Sequence, residues 1–119
     1  MLFRSLDAIQ FYIRTNVISP KVKEALQRVI TLRNELDAAL RNRTQLEQQV
    51  NEAVAEQGRL RENLKTLPKE TDQYKRQLTK FDAFETQIEK ARTDLTKARA
   101  DEEQARKALE TYLLNLDVE

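Results

Sequence analysis

The residues that could do chemistry here are carboxylates and guanidiniums. Asp101-Glu102-Glu103 is the densest acidic run. General acid–base work needs two carboxylates held close together in a pocket that shifts their pKa values apart. A run of adjacent acids on one helix spreads around its circumference and reads as a solvated face. Arg41, Arg43, Lys97, Arg99, Arg106 and Lys107 make modest basic patches, but acidic residues interleave them. With 21 Lys and Arg against 20 Asp and Glu, the chain lacks the basic excess that steers a protein onto nucleic acid or an anionic membrane.

The sequence has no His and no Cys, which removes the commonest general base, the commonest transition-metal ligand and all thiol chemistry. A single Gly rules out a glycine-rich phosphate loop. Asn42-Arg43-Thr44 matches a glycosylation acceptor, yet it falls in the middle of a helical stretch and is read as incidental. The expectation is a chain that is not an enzyme, binds no cofactor or metal, takes no small-molecule substrate and contacts no nucleic acid. Its partner would be a protein, a second copy included.

The elements that carry these residues are two long helices. Read in sevens from Val22, one set of positions is Val22, Val29, Leu36, Arg43, Val50, Gln57 and Leu64. The set three residues later is Ala25, Leu32, Ala39, Leu46, Ala53, Leu60 and Leu67, and twelve of the fourteen are apolar. This is the a/d seam of a coiled coil. From Tyr74 the sevens resume, with Tyr74, Phe81, Ile88, Leu95, Glu102, Leu109 and Leu116 in one set. Gln77, Phe84, Ala91, Ala98, Ala105, Tyr112 and Glu119 form the other. Ser19-Pro20 starts the first helix: Ser caps the free N–H groups, and Pro fits the first helical position, where its missing N–H costs nothing. Leu67-Pro68-Lys69-Glu70-Thr71-Asp72 is the turn, because Pro68 cannot continue the hydrogen-bond ladder; Thr71 or Asp72 caps the second helix. Gly58 lies off the seam and weakens the helix too little to break it.

The predicted fold is all-α: a long antiparallel coiled-coil helical hairpin over residues 19–119, with helices at about 20–67 and 71–116 and the turn at 68–71. Each helix would span roughly 70 Å. Residues 1–18 read as a short amphipathic N-terminal helix, with Leu6, Ile9 and Ile13 on one face and Tyr12 beside them. It is expected to pack at the open end of the hairpin near Leu26 and Leu113.

So short a connection forces the two helices antiparallel. Facing seam residues then have numbers that sum to a constant, set by Leu67 opposite Tyr74. Small residues meet larger ones in the resulting layers: Ala53 with Ile88, Ala91 with Val50, Ala105 with Leu36, Ala25 with Leu116. Constant layer volume is what close packing requires. Arg43 and Glu102 fall in adjacent layers, each beside an alanine, and are predicted to be a register-setting core pair.

The two flanks of this seam differ. The g positions are almost wholly polar, whereas the e positions include Leu26, Leu40, Val54, Leu78 and Leu113. In an antiparallel pair the e positions share one edge. Leu40, Val54 and Leu78 have no predicted partner within the chain, so they are the candidate interaction residues. The function expected is a structural or interaction module, a spacer or docking arm that self-associates through this edge. A chaperone-like, substrate-gripping hairpin is the alternative, opposed by the polar turn at Lys69 to Gln73. A nucleic-acid-binding arm ranks below it.

Four stretches together carry a resemblance: Ser19-Pro20-Lys21-Val22 with Ala25-Leu26; Arg59-Leu60-Arg61-Glu62-Asn63-Leu64; Leu67-Pro68-Lys69 and, beyond it, Tyr74; and Leu109-Glu110-Thr111-Tyr112-Leu113. From about Ile9 onward the chain resembles the C-terminal helical hairpin of a bacterial family known only as a domain of unknown function. The resemblance implies a β-rich region ahead of the hairpin, so that the chain would be a piece of a longer protein whose place is the cell envelope. It carries over no catalytic residues. No stretch approaches the roughly 20 apolar residues of a membrane span, and Arg4, Asp7, Gln10 and Arg14 interrupt any signal-peptide core. The compartment is not fixed by these observations.

Overall fold

The computed structural model describes residues 19–116. The expected helix over residues 1–18 lies outside them. Two helices make up the described chain, α1 (Pro20–Thr66, 47 residues) and α2 (Asp72–Leu114, 43 residues), with no strand among the described residues.

The ends of the helices follow from local chemistry. Ser19 caps α1: its Oγ accepts from Val22 N at 3.2 Å, and its carbonyl accepts from Lys23 N at 2.9 Å. Pro20 occupies the first helical position. At the far end the ladder stops at Thr66, one residue before Leu67, which Pro68 holds out of helical geometry. Of the two residues that could have capped α2, Thr71 does so. Its hydroxyl donates to Pro68 O at 2.7 Å and accepts from Tyr74 N at 3.2 Å, while Thr71 N donates to Pro68 O at 3.2 Å. One threonine thus closes the turn and opens the helix, and Asp72 adds a negative charge in the first turn, where the helix dipole favours it.

The chain forms two compact units. The described part of the first comprises residues 19–40 and 101–116, and the second is residues 41–100. In the first unit Val29, Leu32 and Leu109 are buried together, with Leu36, Tyr112 and Leu113 packed against them. In the second, Val50, Ala91 and Leu95 form a buried cluster with Leu46 against it. The second unit contains the turn and is a helical hairpin, with late residues of α1 meeting early residues of α2.

Every buried described residue belongs to the seam. On α1 these are Ala25, Val29, Leu32, Val50, Ala53, Gln57 and Leu60; on α2 they are Ile88, Ala91, Leu95, Ala98, Glu102 and Leu109. The alanines matter as much as the large residues. Ala53 and Ala98 are only 3% and 2% exposed, so the helix axes approach closely enough to bury a methyl group as fully as a leucine. Burying a Leu, Ile or Val side chain in this way stabilises the fold by about 1.5–3 kcal/mol.

Candidate functional site

With the apolar residues consumed by the seam, chemistry is left to its polar members and its two edges. Gln57 is 6% exposed at an a position of the second unit. Its Nε2 donates to Glu85 Oε2 at 2.6 Å and approaches Phe81 O at 3.5 Å. A buried amide needs such partners, because stripping it of water without replacement is costly.

One turn before Val50 and Asn51, Glu47 takes two cations. Arg43 Nη1 donates to its Oε1 at 2.5 Å from the same helix, and Arg99 Nη2 donates to its Oε2 at 3.2 Å from α2. The Arg99 hydrogen bond first, and Arg43 after it, hold the Glu47 carboxyl below its ordinary value, with partial desolvation opposing them. Toward the turn, the Arg61 guanidinium lies over the Phe81 ring, 5.5 Å from its centroid, a cation–π contact that covers the ring face. Arg59 pairs with Glu56, which lowers the Glu56 carboxyl and raises the guanidinium.

In the first unit the buried Glu102 accepts from Arg106 Nη2 at 2.9 Å, and Arg106 Nη1 also reaches Glu103 at 3.4 Å. The bond to Glu102 is the main reason the Arg106 guanidinium is raised. Arg43 and Glu102, the predicted register pair, thus sit in the second and first units respectively, each bound to a residue one turn along its own helix.

The candidate interaction residues are exposed. Leu40 in the first unit is 38% exposed; Val54 and Leu78 in the second are 41% and 39%. Leu26 and Leu113 are half-buried, the latter against the first unit's apolar cluster, and Leu114 is 86% exposed.

No family model, curated protein or solved structure matches the chain. Among the described residues no group of three or more His, Cys, Asp or Glu is arranged to hold a metal ion, and no helix is long and apolar enough to cross a membrane.

Three features of the structure are not evident from the sequence. Gln57 interrupts the seam visibly, but nothing in the heptads names Glu85 as its partner; a polar seam residue signals only that an acceptor must lie within reach. Glu47 and Arg99 are both e positions, so the sequence puts them on one edge, but the rotamers that bring them to 3.2 Å are not in the heptads. The third is Gln77, whose buried Oε1 has no hydrogen-bond donor. Its position in the seam is visible in the sequence, its missing partner is not.

Proposed function

We propose that this protein is a spacer or docking arm that works by binding protein rather than by catalysis, and that it self-associates along its e-position edge. The helical hairpin supports an interaction role because the apolar stripe of each helix is spent on the other, leaving surface rows as the means of action. The observation that carries self-association is the exposure of Val54 and Leu78, about two-fifths each, on an edge whose opposite number is polar. Leu40, an e position of the first unit, is exposed to a similar degree. A second copy is the natural occupant, since e rows laid against each other convert two hairpins into a four-helix bundle. The likeness to the hairpin of the bacterial family belongs to this proposal too, with a longer parent protein in the cell envelope as its setting.

Sedimentation velocity across a concentration series tests the reading. The expected result is a sedimentation coefficient that rises with concentration and falls back to the monomer value in Leu40→Glu plus Val54→Glu. A strict monomer, unchanged by the double substitution, ends it.

A further inference from the structure

We propose that the turn end of the second unit is a docking surface for an acidic peptide segment of a partner protein. The inference deepens the docking-arm reading and rests on it. Residues 59–80 carry seven Lys and Arg against three Asp and Glu, whereas the rest of the chain carries fourteen against seventeen. The positive charge is therefore gathered around the turn although the whole chain is near neutral.

Of these seven cations, Arg59 is bound by Glu56, Lys65 by Glu62, and Arg61 lies over the Phe81 ring. At the turn end Lys69, Lys75, Arg76 and Lys80 are exposed, and their side chains make no ion pair or hydrogen bond among the described residues. A cation with no intramolecular carboxylate gives up only water when a carboxylate arrives.

Geometry narrows the occupant. Arg76 and Lys80 stand one turn apart on α2, on the same face. Two open grooves meet there, one reaching Arg76 and the other Lys80, and both are lined by Asn63 and Gln77. Gln77 Oε1 is the buried acceptor that lacks a donor. A peptide supplies what this arrangement needs: carboxylates for Arg76 and Lys80. Single-stranded nucleic acid binds through open aromatic faces, but the Phe81 ring is covered by Arg61, and Tyr74 and Phe84 are half-buried. Pro68, Lys69 and Glu70, exposed at the turn, offer no apolar wedge for a bilayer.

The test is fluorescence anisotropy with a labelled oligoglutamate peptide, read at low and at physiological salt. The expected result is binding that weakens with salt and drops about tenfold or more in Arg76→Glu plus Lys80→Glu. A matched control, Lys21→Glu plus Arg28→Glu in the first unit, should change it less than about twofold. Circular dichroism of each variant confirms that the helices persist, as substitutions at exposed positions predict. Absence of peptide binding at low salt overturns the proposal. So does equal loss in both charge-reversed pairs, or tighter binding of an oligonucleotide or of phosphatidylserine vesicles. The outcome is separable from self-association. A monomer that binds the peptide ends the dimer and leaves this surface standing, and a dimer that does not bind does the reverse.

Discussion

Gln57 of α1 and Glu85 of α2 are joined by a 2.6 Å hydrogen bond, the amide buried in the seam and the carboxylate exposed at its edge. The bond reaches from the inside of the hairpin to its surface. It favours this register because sliding one helix by a heptad puts Leu78 or Arg92 in the place of Glu85 and takes that acceptor from the buried amide. Polar seam residues in coiled coils act in this way, trading stability for a single alignment.

The consequence is testable by two substitutions at one position. Gln57→Ala leaves a gap and loses the bond, and is expected to destabilise by about 1–3 kcal/mol. Gln57→Leu fills the gap with apolar atoms and leaves Glu85 to water, so it should be neutral or stabilising. Urea unfolding of the two variants should therefore move the midpoint in different directions, or move it only for alanine. Equal losses would mean that the bond, rather than the space, dominates.

The seam makes a second prediction. Leu32 and Leu60 are 2% and 3% exposed, in the first and second units respectively. Leu32→Ala and Leu60→Ala should each cost about 2–5 kcal/mol, since closely packed helices collapse poorly around a missing side chain. Val54→Ala, on the exposed edge, should cost no more than about 0.5 kcal/mol in dilute solution. Chemical denaturation below the concentration of any self-association checks all three.

Gly58 offers a gain. A methyl group added there meets no atom within 4 Å, and the residue lies within α1. Gly58→Ala should stabilise the chain by about 0.5–1 kcal/mol, through lower backbone entropy of the unfolded state and better helix propensity. A rise in thermal midpoint with unchanged helix content is the expected readout.

Glu47 predicts an acid limb. Its folded carboxyl titrates below the ordinary value of 4.5 because Arg99, then Arg43, stabilise the charged form. A group shifted in this direction contributes stability above its unfolded pKa and loses it as pH falls through the depressed folded value. Melting temperature should decline as the pH drops from about 5 toward 3, and Glu47→Gln should flatten part of that decline. Glu56, lowered by Arg59, contributes in the same direction. An identical acid limb in Glu47→Gln would remove Glu47 from the account.

Particular residues show how far the sequence could be read. The seam positions were legible because burial follows a period that the primary structure displays: no buried described residue lies off it. Pro68 made the turn legible for a covalent reason, having no N–H to donate. The exposure of Leu40, Val54 and Leu78 was legible from their e positions. The choice of Thr71 over Asp72 as cap was not, since both side chains suit the role and only the path of the chain places one of them under Tyr74 N.

By itself, then, the order of residues determined that two long helices form, where the first gives way to the second, and which stripe each one buries. Those outcomes depend on local propensity and on a repeat that every turn of the helix reports. Tertiary structure alone decided that Glu47 serves cations from both helices, that Gln57 is satisfied by Glu85, and that Gln77 is left with an empty acceptor. Each of these depends on which rotamer a long side chain adopts toward a neighbour dozens of residues away, and a periodic pattern specifies the face of a helix without specifying the reach of the side chains on it.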